Sequence, residues 1–251
     1  MFNKIIPIQF IAETKEFLEI APKPTVASKN VPEWFKKMPS YVNNVKGIDQ
    51  YGDPTSTVKK CMPVNDCINA GYNIVLPCDV WITNHGDDKL KIQWAWENIK
   101  IVTGQRPDQH EGYPIPEGYN TSVFKFINHW IVKTPKNWSC LLTHPLHHEE
   151  LPFRTLSSVV DTDRYPSPIH FPFFLKKGFN GLIPQGTPIV QIIPFKREKF
   201  RSTYSWDKDG KLATIWKKAH NIFFDRYLKN FRSPKTYEEG DVKVSKCPFH
   251  W

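Results

Sequence analysis

Apolar and polar positions alternate most cleanly over residues 89–101. Leu90, Ile92, Trp94 and Trp96 fall on one side, with Lys89, Lys91 and Gln93 on the other. This is the period of two that a half-buried β-strand requires, so Ile92, Trp94 and Trp96 are expected to face a core. Apolar runs rich in strand formers recur at 5–11, 72–83, 123–132, 138–143, 159–161, 169–175 and 187–195. Residues 84–88 read as a hairpin turn built from residues that tolerate positive φ, and Pro135-Lys136-Asn137 reads as another turn. About eight strands joined by loops of this length predict a mainly β fold, either a β-sandwich or a β-clip-like barrel.

The spacing changes after residue 211. Leu212, Ile215, Trp216, Ala219, Ile222, Phe223, Tyr227 and Phe231 recur at helical intervals, with Lys211, Lys217, Lys218, Arg226 and Lys229 opposite them. This predicts one long C-terminal amphipathic helix, its apolar face packed on the sheet and its lysines in solvent. Pro32 and Pro39 bracket a short helical turn that carries Trp34, Phe35 and Met38. The resulting division is an N-terminal arm and loop over 1–59, a β domain over 60–200, and a helix and tail over 201–251 packed on that domain.

Composition refines this picture in three respects. The 22 prolines outnumber the 12 glycines, and aromatic residues make up 14% of the chain, a balance that suits short strands and rigid turns better than a helical bundle. The net charge of +9 attracts nucleic acid, phosphorylated ligands or an anionic surface, or else is an ordinary solvated basic surface. Five cysteines at irregular spacing, none in a Cys-x-x-Cys pair, read as reduced thiols. With no secretory-type apolar segment at the N-terminus and no run of ~18 apolar residues, the expectation is a soluble protein with no membrane partner.

Two clusters carry candidate chemistry. Asp161 and Asp163 stand two residues apart, so on an extended chain they point the same way. They can share a cation such as Mg²⁺ or divide acid and base roles; alternatively they accept local backbone N–H bonds in a turn. His144-Pro145-Leu146-His147-His148-Glu149-Glu150 combines imidazole with carboxylate. His144 and Glu149, joined by a distant His129 or His170, would make an Fe(II) site on a jelly-roll, or the segment is a packed loop. Trp81, Trp94, Trp96, Trp130 and Trp138 can stack on bases, or serve as core. The basic helix face can contact phosphates, or stay solvated.

Val159-Val160-Asp161-Thr162-Asp163-Arg164-Tyr165, a strand, and then Gly186-Thr187-Pro188-Ile189-Val190-Gln191 resemble the third conserved motif and following strand of trimeric dUTPases. Those enzymes carry Gly-Val-Ile-Asp-x-x-Tyr-Arg-Gly and, later, Gly-Asp-Arg-Ile-Ala-Gln-Leu. The resemblance implies that Asp161 stands at the water-activating aspartate, with Asp163 beside it, that Tyr165 packs on a deoxyribose, and that Gln191 contacts the ligand. Arg154 and Ser158, in a stretch that echoes the family's Pro-Arg-Ser-Ser, would join it. Tyr165 falls one position late, and Pro166 stands in place of Arg-Gly. The match covers about 40 residues, the span of one strand–turn–strand unit.

A broader resemblance, over residues 60–196, is to an uncharacterised family common in tailed phages of marine cyanobacteria and in some bacteria. It rests on Thr143-His144-Pro145, Leu151-Pro152-Phe153, Val160-Asp161-Thr162-Asp163 and Gly-Thr-Pro-Ile-x-Gln-x-Ile-Pro-Phe over 186–195. It implies a phage setting, in the host cytoplasm or in the virion. Three functions are therefore expected in order. The first is a homo-oligomeric, dUTPase-like protein that binds or hydrolyses a nucleotide or another phosphorylated small molecule at loop 154–165. The second is a non-enzymatic phage structural or interaction protein, with virion partners docked by the tail 238–251. The third is a jelly-roll Fe(II)-dependent oxygenase that uses His144.

Overall fold

A computed structural model of the chain describes residues 5–85, 90–220 and 224–240, with the backbone alone for 218–220. In chain order the strands are β1 (Gln9–Ala12), β2 (Thr25–Val26), β3 (Tyr72–Val75), β4 (Val80–Asn84), β5 (Leu90–Trp94), β6 (Val102–Gly104) and β7 (Tyr119–Phe126). There follow β8 (Trp130–Lys133), β9 (Trp138–Thr143), β10 (Phe153–Thr155), β11 (Ser158–Val160), β12 (Phe171–Lys176), β13 (Gly181–Ile183) and β14 (Pro188–Lys196). The helices are α1 (Lys15–Ile20), α2 (Glu33–Lys37), α3 (Met62–Ile68), α4 (Lys211–His220) and α5 (Arg226–Asn230).

The chain divides into two compact units. One takes in Gly71–Arg197 with the described parts of Met1–Asn30 and Tyr237–Trp251; the other is built from Val31–Ala70 and Glu198–Thr236.

The strands belong to the first unit. They form four antiparallel sheets, ordered β11-β9-β14-β3-β2, β10-β12-β7-β6, β13-β4-β5 and β1-β8. The mainly β expectation holds, but the barrel form of it does not, because every one of these sheets is open. One hydrophobic cluster draws on all four. Ile74, Leu142, Val190 and Ile192 come from the five-stranded sheet, and Phe126, Phe153 and Phe173 from the four-stranded one. Val80, Ile82 and Ile183 come from the three-stranded sheet, and Trp130 and Val132 from β8.

Alternation along β5 is as its sequence requires. Leu90, Ile92 and Trp94 pack against the core while Lys91 and Gln93 are exposed, and Trp96, just past the strand, packs on the same cluster. These residues are half-buried rather than enclosed. The 72–83 run is two strands, parted around Pro77, which has no N–H to give a ladder. The hairpin turn expected at 84–88 lies largely outside the described residues, although β4 and β5 pair on either side of it. Asn137 takes φ 70° in the expected turn between β8 and β9. Gly71 enters β3 at φ +70°, and a Cβ there would lie 2.0 Å from the Ile192 carbonyl oxygen. Only glycine lets the chain pass this close to β14.

In the second unit, α3 begins with Pro63 in its first turn. Its Asp66 accepts from Arg232 (2.7 and 3.0 Å) and from Lys235 (3.0 Å). Lys60 pairs with Asp225 at 3.0 Å. These ion pairs join the two chain segments of the unit.

The long C-terminal helix is corrected to two short ones. Asp225 sits at φ 60°, in the left-handed region that an α-helix of L-residues cannot contain, so α5 starts anew after it. Leu212, Ile215 and Trp216 are exposed, while Ile222, Phe223 and the aromatic end of the tail lie outside the described residues. Cys61, Cys67, Cys78 and Cys140 are thiols rather than disulfides. Among the described residues, no helix is long and apolar enough to cross a membrane.

The aromatic centre of the core should dominate stability. Phe126 stacks on Phe173 with ring centroids 3.9 Å apart and meets Phe153 edge-on at 5.0 Å. Phe126→Ala is expected to cost ~3–5 kcal/mol. Trp94→Ala, which removes a half-buried ring, should cost about half as much. Urea denaturation of the two variants checks the order.

Candidate functional site

Antiparallel pairing of β11 with β9 sets Ser158 against Leu142 and Val160 against Cys140. The next residue, Asp161, therefore arrives beside Ser139, whose hydroxyl donates to its carboxylate at 2.7 Å. The chain then turns. The N–H groups of Arg164 and Tyr165 donate to the Asp161 carbonyl at 2.9 and 3.0 Å. Thr162 is buried between Thr134 (2.7 Å) and the Cys140 sulfur (3.3 Å).

The turn carries Asp163 back onto the sheet, where its carboxylate accepts from the Asn137 N–H at 2.8 Å and from both Arg197 terminal nitrogens at 2.9 and 2.5 Å. Arg197 follows directly on β14. It also donates to the Trp138 carbonyl (3.0 Å) and the Ser139 hydroxyl (2.9 Å), and stands 3.1 Å from Asp161.

The cation that serves both carboxylates is thus a guanidinium from the same chain. A planar fork that donates twice to one carboxylate is the strongest form of this contact. The two aspartates are not equivalent: the Asp163 side chain is 4% exposed and that of Asp161 53%. Hydrogen bonding from Arg197, aided by the Asn137 N–H, holds the Asp163 pKa below the usual carboxylate value, and Asp163 in turn raises that of Arg197. Asp163 is a turn anchor, while Asp161 keeps half of its surface in solvent. Tyr165, after the turn, is also exposed.

The remaining expected ligand residues are dispersed. Gln191 pairs with Thr143 at one end of β9, whereas Asp161 sits by Ser139 at the other. Four residues separate these positions along the strand, or ~13 Å. Gln191 is buried, and its side-chain oxygen accepts from the Leu146 N–H at 2.8 Å. It stands in a polar row across the sheet, Thr25–Asn73–Gln191–Thr143, which Ser157 extends through a 2.8 Å bond to Thr143. Ser158 and Arg154 are exposed on β11 and β10.

Loop 144–150 is held by its histidines. His144 Nδ1 accepts from the Thr155 N–H (3.3 Å), so Nε2 carries the proton and donates to the His148 carbonyl (3.2 Å). Burial holds the His144 pKa below the usual histidine value. Both of its ring nitrogens are therefore engaged, and Glu149 is exposed. His148 Nε2 donates to the Asn30 carbonyl at 2.7 Å, with Nδ1 2.8 Å from Glu150. His129 likewise bridges Glu13 (2.6 Å) and the Lys100 carbonyl (3.0 Å). Among the described residues, no three His, Cys, Asp or Glu side chains gather as metal ligands do.

Sequence reasoning missed Arg197, which reads there as one more basic residue; nothing in its spacing marks it as the partner of an aspartate 34 positions earlier. It also passed over Phe200, Tyr204 and Trp206, whose placement among Lys199, Arg201 and Lys208 is visible in the sequence. In the structure these three rings are 89%, 94% and 77% exposed, on a stretch outside any helix or strand. No protein-family model matches the chain, and no curated protein sequence matches it either.

The Asp163 anchor has a pH signature. Because its pKa is lowered on folding, its stabilisation is present above the unfolded value near ~3.9 and is lost as pH falls through the folded value. Asp163→Asn is expected to lower stability by ~1–3 kcal/mol near neutral pH. The gap from the parent protein should close below about pH 4, as chemical denaturation across that range would show.

Proposed function

We propose that this chain is a non-enzymatic interaction protein: a β-sandwich-type scaffold continued by a segment, residues 198–217, that docks a partner macromolecule. The observation that carries the reading is the near-complete exposure of Phe200, Tyr204 and Trp206. Burying one such ring is worth ~1.5–3 kcal/mol, so the segment holds several kcal/mol of unused association energy. Leu212, Ile215 and Trp216 in α4 are also exposed, and exposed apolar side chains in such number mark interaction sites. The resemblance to the phage family agrees with such a role. The candidate chemistry gives less support to an enzyme, since Asp163 and His144 are committed to holding turns.

If the rings serve a partner and not the fold, replacing Phe200, Tyr204 and Trp206 together with alanine should leave the melting temperature within about 2 °C of the parent. A fall of more than about 6 °C would mean that the rings pack within the protein, and would overturn the reading.

A second reading, nucleotide hydrolysis at loop 154–165, has one observation behind it. Asp161 keeps half of its carboxylate in solvent beside Arg197, so it retains a face for a water. On that reading Asp161→Asn abolishes Mg²⁺-dependent nucleoside triphosphate hydrolysis and leaves melting nearly unchanged, since only the proton-accepting charge is removed. Parent protein that turns over no nucleoside triphosphate would sink it.

A further inference from the structure

Residues 199–210 read Lys-Phe-Arg-Ser-Thr-Tyr-Ser-Trp-Asp-Lys-Asp-Gly. Every large apolar residue in this stretch is an aromatic ring; it contains no Val, Ile, Leu or Met. A surface made for an apolar protein groove or for lipid would draw on aliphatic side chains as readily as on rings. A surface made to stack on flat π-systems draws on rings alone.

The charges point the same way. The two acids of the stretch are already engaged: Asp207 accepts from the Ala213 N–H at 3.1 Å, and Asp209 pairs with Lys211 at 3.1 Å. Lys199, Arg201 and Lys208, together with Lys217 on α4, are exposed. Three cations, Lys199, Arg201 and Lys208, interleaved with three open rings form a phosphate-binding and base-stacking surface. Tyr204 and Trp206 are at most ~7 Å apart along the chain, about two base steps of one strand. A duplex offers its base faces to nothing outside the stack, so the rings select unpaired bases.

We infer that the stretch from Lys199 to Lys208 binds single-stranded nucleic acid, with Phe200, Tyr204 and Trp206 stacking on bases and Lys199, Arg201 and Lys208 holding phosphates. The inference rests on the reading of 198–217 as a docking segment, and names its partner.

The test uses the full chain and a fluorescein-labelled oligodeoxythymidine of about 20 nucleotides, followed by anisotropy. Three neutralised phosphates predict that affinity falls about 20-fold between about 50 and 200 mM salt. A duplex of equal length should bind at least about 10-fold more weakly, having no open base faces. The triple alanine variant at 200, 204 and 206 should bind about 100-fold more weakly yet keep the salt dependence. Replacing Lys199, Arg201 and Lys208 with alanine should instead flatten that dependence.

Absence of binding overturns the inference, as does binding that the ring variant retains in full, which would be the work of a basic surface alone. Anionic vesicles that bind the chain uncontested by the oligonucleotide overturn it too, as does self-association lost in the ring variant. In each of these cases an unchanged melting temperature of the ring variant still leaves the docking segment standing, with a different partner.

Discussion

The period of two along β9 and β14 governs the rest of the first unit. These strands pair side by side, with β11 and β3 on their outer edges, and each residue that faces the core forces its neighbours outward. Leu142, Val190 and Ile192 point into the aromatic centre. Ser139, Thr143 and Gln191 are thereby placed on the other face, where polar groups must find partners or stay wet. The clasp around Asp163 and the polar row through Gln191 are the two solutions, one at each end of β9. A one-residue slip would exchange them with the core, so register and polar chemistry are fixed together. Gly71 belongs to the same constraint, since any side chain there would push β3 off β14.

Local periodicity was legible in the sequence, and tertiary pairing was not. The alternation of Leu90, Ile92 and Trp94 identified β5 because its two faces meet different media. The strands β10, β13 and β2 are two or three residues long, too short for any period to register, and the long run at 72–83 hid the break at Pro77. The C-terminal pattern was helical in spacing but misled in length. Asp225, in a left-handed conformation, precedes the second of two short helices, and side-chain periodicity carries no record of backbone handedness. The apolar positions of α4 were taken as core by the usual rule, yet an amphipathic face says only that something covers it, not what.

The candidate site was legible to a similar degree. Asp161 and Asp163 stood out as a pair of neighbouring carboxylates, and the guanidinium beside both could not be named. A metal and an arginine satisfy two carboxylates by the same electrostatics. Which one is present depends on a residue beyond three intervening strands, and no spacing rule spans that distance. His144 presents the same ambiguity, because an imidazole that braces a loop and one that binds a metal look identical until the partners of both nitrogens are seen.

The position of Arg197 has a mechanical consequence. It is the residue at which the sheet ends and the exposed aromatic segment begins, and β14, which it follows, is flanked by β3 and β9. Tension drawn along that segment would reach the protein at the end of an interior strand held on both sides, and pulling along β14 loads its two hydrogen-bond ladders in shear. The double contact from Arg197 to Asp163 bears load at the same residue whose N–H is bonded to the Asn137 carbonyl, and so adds to the first ladder bonds. A strand at the edge of the sheet, held on one side only, would peel one bond at a time. An exposed aromatic stretch is thus tethered to an interior strand of the sheet and not to an edge.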